Sequence, residues 1–388
     1  MASVFKRGNT WTYRASYIDK DGQRQQPTKG GFATKRAAQI AAAELETKVA
    51  NGAQVKHSDV TLLDYWDRWI SLYKSGKHTR VTEARYGIIR NELAEYFGTA
   101  RQLRSISKSD WQEFINHFAA NRKKKVGTEI VTVPRSHDTV SKLNGYVRAM
   151  ARSAVDDQII PANFTHDVVL SGTDGKAADL KYIQSEDLIL LLKYVINHAE
   201  LSKVYNYMIA FGILTGARYA EAAGLDWPNV DLNNGIVHIK HTWDYKYRTG
   251  FIPTKNPSSV RDIDISPQLV ALLRRLKIEQ AKANAASGYR DPYHLVFRNY
   301  RHEALSNGIT NRHLREIENK LNIKPVITFH GLRHSHVSYL LSKGIKVEYI
   351  SKRLGHSNVA ITLRVYSHML KDVEEKQVKA TIAALSEL

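Results

Sequence analysis

The sequence predicts a multi-domain protein that is mainly α-helical and carries small β elements. Its 388 residues are more than one ordinary hydrophobic core accommodates, so two or three domains are expected. Over most of the chain, apolar residues recur at steps of three and four, which is typical of amphipathic helices. Strand-like alternation of apolar and polar residues occurs in two places only, within residues 3–32 and at roughly 235–265.

The order of these patterns predicts three domains, residues 1–57, 58–172 and 173–388. In the first, WTYRASYI alternates, DKDG is a turn signal, and Thr34 can cap an alanine-rich helix, which together give a three-stranded sheet plus one helix. The second is expected to be all-helical, with RKKKVG (122–127) as a basic loop. SGTDGKAADL (171–180) is small and polar, and it is predicted to be a linker to a third, mixed α/β domain.

The chain is strongly basic, with 57 Lys and Arg against 38 Asp and Glu and a formal net charge of +19. Because the excess is present in all three predicted domains, we expect a polyanion that contacts the whole protein, and DNA or RNA is the obvious one. The alternative is a charge that serves solubility. A narrow sheet with basic side chains can lie in a major groove, and a basic loop can contact phosphates. The candidate DNA-binding residues are Arg14, Lys20, Arg24, Lys29, Arg122, Lys123, Lys124 and Lys125.

The chain has no cysteine, which removes disulfides, zinc–thiolate sites and thiol catalysis and fits a reducing cytoplasm. No apolar run reaches about 18 residues, and no charged-then-apolar leader follows Met1. We therefore expect neither a membrane span nor a secretory signal.

The stretch HGLRHSH (330–336) allows three interpretations: a metal site, structural histidines, or a phosphate-binding group. His330 and His334 share a helix face, but His336 points elsewhere, and neither an HExxH pattern nor an acidic cluster accompanies them. A helix that begins near Gly331 would place His330 and Arg333 at its first turn, where unpaired amides favour an anion. The pattern therefore favours phosphate over metal.

Other motifs place further polar groups at helix ends. Arg218 follows a Thr–Gly break at the start of a helix, and Glu221 lies one turn on, where it can orient a neighbouring cation. KVEYISKRLGH predicts a short helix that ends at Gly355 and His356, and Tyr366 follows ten residues later.

In this order, TGARYAE, PTKNPSSVRDI, HGLRH, LGHS and ITLRVYSH resemble the motifs of the tyrosine recombinases, and among them the phage and integrative-element integrases. The resemblance covers the catalytic half, about residues 180–370. The N-terminal stretch GNTWTYRASYIDKDG…GGFATKRAA resembles the arm-type DNA-binding domain of such integrases, and residues 60–170 resemble their helical, SAM-like core-binding domain.

The resemblance implies six catalytic residues, Arg218, Lys255, His330, Arg333, His356 and Tyr366. The two arginines would hold the non-bridging oxygens of the scissile phosphate, and the lysine would protonate the leaving 5′ oxygen. The first histidine would act as general acid and base, the second would hydrogen-bond the phosphate, and the tyrosine would be the nucleophile. Glu221 and His334 are expected to support this set. Lys240 and Lys246 are nearby alternatives for the lysine, and Tyr349 is the nearest alternative nucleophile.

The function implied is that of a site-specific recombinase that integrates and excises a phage or conjugative element through a 3′-phosphotyrosyl intermediate, without ATP or metal. Its implied partners are duplex attachment sites, three further copies of the chain in a homotetramer, an excisionase and a host DNA-bending protein, in the bacterial cytoplasm at the nucleoid. The C-terminal segment 371–388 is expected to pack on a neighbouring protomer. The alternatives are a type IB topoisomerase, a non-catalytic DNA-binding protein and an RNA-binding protein.

Overall fold

The computed structural model describes residues 2–18, 23–50, 60–175, 182–360, 362–363, 382 and 385–386. It divides the chain into two units, Met1–Gly175 and Lys176–Leu388. Within the described residues the structure is mainly helical with small sheets, so the predicted fold class is confirmed.

The N-terminal part of the first unit is a small sheet with one helix against it. Its elements are β1 (Ser3–Arg7), β2 (Thr10–Arg14), β3 (Tyr17–Ile18), β4 (Arg24–Gln25), β5 (Thr28–Phe32) and α1 (Lys35–Ala50). The antiparallel sheet has the order β1-β2-β5, while β3 and β4 form a separate ribbon. Tyr13 and Ala15 pack against Ala42 and Leu45 of the helix, and Thr34 caps that helix by accepting from the amide of Ala37 at 3.1 Å.

The rest of the first unit is a four-helix cluster with one hairpin. Its elements are α2 (Leu62–Tyr73), α3 (Arg80–Phe97), α4 (Lys108–Ala120), β6 (Arg122–Val126), β7 (Glu129–Val133) and α5 (His137–Asp156). Trp66, Trp111 and Met150 are fully buried in its core. The indole of Trp111 donates to Oδ1 of Asn144 at 2.8 Å, so the one polar atom of this ring is satisfied where water is excluded.

The hairpin corrects the expectation that residues 60–170 are all-helical and that RKKKVG is a loop. Residues 122–126 form strand β6, which pairs antiparallel with EIVTV of β7 from Arg122↔Val133 to Val126↔Glu129. The β-branched residues of β7 favour a strand, and Gly127, at φ +63°, supplies the turn. A run of four cations lacks the alternation of apolar and polar residues that is typical of a strand, so the sequence pattern did not predict β6.

The predicted linker is in part packed against the first unit. The amide of Thr173 donates to the carbonyl of Arg135, and the amide of His137 donates to the carbonyl of Thr173, both at 2.9 Å. The two units divide after Gly175, within the predicted linker.

The second unit is mixed α/β. Its elements are α6 (Ser185–Asn197), α7 (Val204–Thr215), α8 (Tyr219–Ala223), β8 (Val230–Asp231), β9 (Ile236–Ile239), β10 (His241–Trp243), β11 (Phe251–Pro253), β12 (Arg261–Asp264), α9 (Pro267–Ser287), α10 (Asn307–Lys320), α11 (Phe329–Ser342) and α12 (Val347–Leu354). The strands form a three-stranded antiparallel sheet, β12-β9-β8, and a two-stranded sheet, β10-β11.

Helix α7 is the centre of this unit and packs against α6, α8, α9, α10 and α11. It is apolar on every side, which suits a helix with protein all round it. It has only 12 residues, and no helix in the described parts of the chain is long and apolar enough to cross a membrane.

Gly212 allows α7 and α11 to approach closely. A Cβ at this position would lie 2.6 Å from Cζ of Phe329 and 3.3 Å from Cδ1 of Leu332, both fully buried side chains of α11. We expect Gly212→Ala to lower the free energy of unfolding by roughly 1–3 kcal/mol, because overpacking outweighs the gain in helix propensity. Urea unfolding followed by circular dichroism measures the change.

Gly308→Ala is the matched control in the same unit. Gly308 is exposed in the first turn of α10, and a Cβ there would meet no atom within 4 Å. This variant should be neutral or more stable by up to about 1 kcal/mol. Equal destabilisation by the two substitutions would contradict the packing explanation.

Candidate active site

Arg218 and Glu221 lie where the chain turns from α7 into α8. Gly216 ends α7 in the left-handed conformation, and Arg218 occupies the N-cap of α8. Glu221 is only 2% exposed, and its carboxylate accepts from the backbone amide of Arg218 at 2.9 Å and from Nη1 of Arg218 at 2.7 Å. The predicted orienting role of Glu221 therefore matches its contacts.

Arg261, at the start of β12, is the second cation on Glu221. Its Nη2 donates to Oε2 of Glu221 at 2.9 Å, its Nη1 to the carbonyl of Ser259 at 2.8 Å, and its Nε to the carbonyl of Arg353 at 2.6 Å. Burial opposes ionisation of Glu221, but the two guanidinium groups outweigh it and hold the pKa of this carboxyl below its ordinary value.

Arg333 is buried in α11, at 3% exposure, and two backbone carbonyls fix its guanidinium. Nη1 donates to Gly216 and Nη2 to Leu354, both at 2.9 Å. Helix α11 begins at Phe329 rather than near Gly331, so Arg333 is its fifth residue and lies beyond the first turn. Carbonyls at the ends of α7 and α12 therefore position Arg333. The prediction that Arg333 lies in the first turn, beside unpaired helix amides, is wrong.

The three histidines of HGLRHSH have different surroundings. His330 is exposed, and its ring meets that of half-buried His334 edge-on, with centroids 5.1 Å apart. His336 is 5% exposed, with Nδ1 2.8 Å from the carbonyl of Ile213, and its Nε2 accepts from Nε of Arg353 at 3.4 Å. Burial first, and then Arg353, lower the pKa of His336 to about 3. His336 is therefore a neutral core residue.

His330 and His356 are influenced by the same charges. The atoms packed around its imidazole, and then Arg333 and Arg218, lower the pKa of His330 although the residue is exposed. His356 is half-buried after the left-handed Gly355, and its Nδ1 lies 2.7 Å from Oγ1 of Thr362. Burial, then Arg333 and Arg218, lower the pKa of His356 to about 4. The hydrogen bonds from Arg333 to Gly216 and Leu354 join α11, which carries His330, to the segments that carry Arg218 and His356.

Lys255 is exposed in the segment between β11 and β12. No described contact joins its ammonium group to the arginines. The segment itself reaches the site four residues later, because Oγ of Ser259 accepts from Nη1 of Arg218 at 3.3 Å. The alternatives remain Lys240, which directly follows β9, and Lys246, whose ammonium lies 5.2 Å from the ring centre of Tyr247.

Tyr366, the predicted nucleophile, lies outside the described residues. Its alternative, Tyr349, is an exposed residue of α12. Among the residues that the structure describes, no group of three or more histidine and acidic side chains could hold a metal ion.

Arg261 and Arg353 are the residues of the site that sequence reasoning missed. Arg353 donates to the carbonyls of Asp264 and Leu214, at 3.0 and 3.2 Å, in addition to its contact with His336. Arg261 lies within the motif PTKNPSSVRDI, but nothing in its spacing distinguishes a buried arginine from a solvated one. The chain packs closely at Gly355 as well, because a Cβ there would lie 2.8 Å from the carbonyl oxygen of Ser258.

The candidate DNA-binding residues of the first unit are exposed wherever the structure describes them. Arg14 lies on β2, with Nε 3.4 Å from Oγ1 of Thr28, and Arg24 on β4 donates to Oγ of Ser16 at 2.9 Å. Lys29 of β5 lies opposite Tyr13 of β2, whereas Lys20 is outside the described residues. The four basic residues 122–125 form most of strand β6.

Two family models match the chain. The phage integrase family matches residues 181–372, and an arm DNA-binding domain matches residues 3–49. The chain belongs to the phage integrase family of tyrosine recombinases. The resemblance inferred from the five motifs is thereby confirmed.

Relatives of this tyrosine recombinase match it along most of their length. The tyrosine recombinase XerC-like protein of Caldanaerobacter subterraneus subsp. tengcongensis is 24% identical over 375 residues, which are 92% of this chain and 90% of that protein. The ICEBs1 integrase of Bacillus subtilis is 26% identical over 292 residues, 74% of each.

Solved structures of integrases share its fold. The Tn1549 transposon integrase, in complex with transposon right end DNA, has a TM-score of 0.65 at 18% identity and covers 83% of this chain and 99% of that one. A lambda integrase dimer bound to a COC′ core site has a TM-score of 0.55 at 15% identity, with 93% of each chain covered. Both proteins are bound to DNA in those structures.

The contacts of Arg261 predict its contribution to stability in this recombinase. Arg261→Ala leaves buried Glu221 with one cation instead of two and should lower the free energy of unfolding by roughly 3–5 kcal/mol. Glu221→Gln in the same chain should recover part of the loss, since the uncompensated charge is then removed. Urea unfolding of both variants gives the coupling.

Arg248→Ala is the control for this prediction. Arg248 also faces a glutamate, Glu303 at 3.5 Å, but both side chains are well exposed, so the change should be under about 1 kcal/mol. If the two alanine variants lose the same stability, burial of Glu221 is not what makes Arg261 important.

The neutral state of buried His336 predicts a pH dependence. Its pKa is about 3 in the folded protein against 6.5 in an unfolded chain, so the unfolded state takes up the proton first as the pH falls. Stability should be fully present above pH 6.5 and should decline below it, by up to about 1.4 kcal/mol per pH unit for this group.

His336→Asn keeps an N–H donor near the carbonyl of Ile213 and cannot titrate. Its urea midpoint should depend less on pH than that of the wild type between pH 6.5 and about 5, above the main range of carboxyl groups. Identical pH slopes for the two proteins would show that His336 is not held neutral.

Proposed function

We propose that this chain is a site-specific recombinase that cuts and rejoins duplex DNA to integrate and excise a mobile element. The observation that carries the proposal is the geometry of Arg333, which donates to the carbonyls of Gly216 and Leu354, two residues before Arg218 and His356, and which lies one turn after His330 on α11. Rigid guanidinium groups from two segments fit the non-bridging oxygens of one phosphate. The family and the DNA-bound integrases of the same fold support this assignment.

In the proposed cleavage step, the phenolic oxygen of Tyr366 attacks the scissile phosphorus. The bond from this oxygen to phosphorus forms as the bond from phosphorus to the 5′ oxygen breaks. His330, neutral near pH 7 because its pKa is lowered, accepts the phenolic proton, and Lys255 gives a proton to the leaving 5′ oxygen. Arg218 and Arg333 stabilise the added charge of the pentacoordinate transition state.

Rejoining runs through the same groups in reverse. The 3′-phosphotyrosyl bond keeps the energy of the phosphodiester, so a 5′ hydroxyl of the second DNA partner can displace Tyr366 without ATP. Cationic side chains supply the positive charge on the phosphate, and we therefore expect activity without a metal ion. Neutral His356 donates a hydrogen bond to the phosphate in this scheme.

The proposed partners are two duplex attachment sites and three further copies of the chain in a homotetramer. Arm-type and core-binding regions on one chain suit a bridge between two DNA segments, which a topoisomerase does not need. An excisionase and a host DNA-bending protein complete the assembly on the bacterial nucleoid in the cytoplasm. The mobile element is a phage or a conjugative transposon. Segment 371–388, proposed to pack on a neighbouring protomer, lies almost wholly outside the described residues.

Covalent capture tests the chemistry. The protein is incubated in EDTA with a pool of nicked duplexes of random core sequence, which trap the cleaved strand, and the protein–DNA adduct is isolated under denaturing conditions. We expect a covalent adduct with the wild type and none with Tyr366→Phe, because the attacking hydroxyl is absent.

Tyr349→Phe is the matched control, since Tyr349 is the nearest alternative tyrosine and lies exposed on α12. It should form the adduct as the wild type does. An adduct that survives Tyr366→Phe would refute the nucleophile, and one that requires a divalent metal would refute the metal-free step. Relaxation of supercoiled plasmid without strand exchange between two captured sites would favour the topoisomerase alternative.

A further inference from the structure

The hairpin β6–β7 is an exposed basic ribbon in the first unit. Its two strands pair only with each other among the described strands. All five residues of β6 are exposed, and so are Glu129, Ile130 and Thr132 of β7. An isolated two-stranded hairpin is marginally stable in water, and four adjacent cations on one strand repel one another. The ribbon is therefore built at some cost in stability.

The base of the ribbon is firmly anchored. Arg135, which follows β7, donates through Nη1 to the carbonyls of Phe118 and Asn121, at 2.6 and 3.0 Å, immediately before β6. Its Nη2 donates to Glu92 of α3 at 2.7 Å, and its guanidinium lies 3.9 Å from the ring centre of Phe118. Both ends of the hairpin are thus held by one partly buried arginine, and the ribbon is an arm with an anchored base.

Cations lie on both faces of the arm. Side chains alternate along a strand, so Arg122 and Lys124 share one face while Lys123 and Lys125 share the other. Nζ of Lys123 lies 3.4 Å from Oε1 of Glu95 in a largely exposed pair, which contributes little to stability. Among the described residues, no acidic side chain pairs with Arg122, Lys124 or Lys125. The described part of the chain therefore provides almost no anion for this surface.

Duplex DNA is the polyanion whose shape fits this arm. A major groove admits a two-stranded β-ribbon, and the five paired residues of each strand extend about 17 Å. Phosphates line both sides of a groove, which matches cations on both faces. Near the turn, Ile130 is 71% exposed opposite Lys125, an apolar group suited to the methyl of thymine.

We propose that the β6–β7 hairpin is a DNA-binding arm that lies in a major groove of the substrate duplex, with its four cations on the phosphates of both strands. This rests on the proposed function only in taking duplex DNA as the substrate. The arm is an element separate from the phosphate site of the second unit. Its affinity comes from counterion release and so depends on salt.

The test neutralises the arm in the full-length chain. The fourfold glutamine variant combines Arg122→Gln, Lys123→Gln, Lys124→Gln and Lys125→Gln. Log affinity for a fluorescent duplex decreases with log salt, and in this variant the magnitude of that slope should be smaller by about 3 to 4, close to one for each phosphate contact. Fluorescence anisotropy over a range of NaCl concentrations gives the slope. The urea midpoint should not fall, because the four side chains are exposed.

Two variants of the same arm complete the series. The combined variant Lys123→Arg, Lys124→Arg and Lys125→Arg keeps every charge and should keep the salt slope. Glu129→Gln removes the acidic residue opposite Val126 and should strengthen binding. Weaker DNA binding by the fourfold glutamine variant at an unchanged salt slope would overturn the proposal, because the lost contacts would not be to phosphates.

The remaining outcomes separate the arm from the catalytic assignment. If the fourfold glutamine variant binds DNA as the wild type does, or loses only association between protein copies, the proposal for the arm is refuted. The Tyr366 adduct, and with it the proposed chemistry, is unaffected by that result. If the wild type forms no Tyr366 adduct while the glutamine substitutions still reduce the salt slope, the proposed chemistry fails and the arm stands.

Discussion

The buried carboxylate of Glu221 is the interaction on which the candidate site depends. A charge that is 2% exposed is costly to desolvate, and here two guanidinium groups compensate it. Because Arg218 and Arg261 come from α8 and β12, their shared partner fixes the distance between two segments. Arg261 then reaches the carbonyl of Arg353 at the end of α12. One ionic cluster thereby positions three elements of the second unit relative to one another.

The neutral histidines follow from burial and from the same concentration of positive charge. Burial is the larger influence that lowers the pKa of His330 and of His356, and the permanent charges of Arg333 and Arg218 lower it further. His330 and His356 are therefore without charge near neutral pH. A neutral ring can accept a proton or donate a hydrogen bond, whereas the arginines only attract. The site in this way combines permanent cations for an anionic ligand with groups that are able to exchange protons with it.

Local rules predicted the elements that local forces decide, such as the cap at Thr34, the short helix that ends at Gly355 and the break before Arg218. They failed where distant partners decide. Strand β6 depends on β7 across the turn, and RKKK alone resembles a solvated loop. Helical spacing placed His334 and His336 on different faces, but it could not show that packing against α7 buries His336. Burial of Arg261 requires a glutamate 40 residues away. Local pattern already placed Arg218 and Arg333 at predicted helix starts, and the order of the motifs assigned them a common role.

The carbonyl contacts of Arg333 have a consequence for synthesis of the chain. They join Arg333 to Gly216, 117 residues earlier, and to Leu354, 21 residues later. Contacts of such separation form only when nearly the whole second unit is available, since loop closure must precede them. A chain still on the ribosome, with α12 not yet released, lacks the carbonyl that holds this arginine. A site built in this way is completed only after the first unit and nearly all of the second have been synthesised.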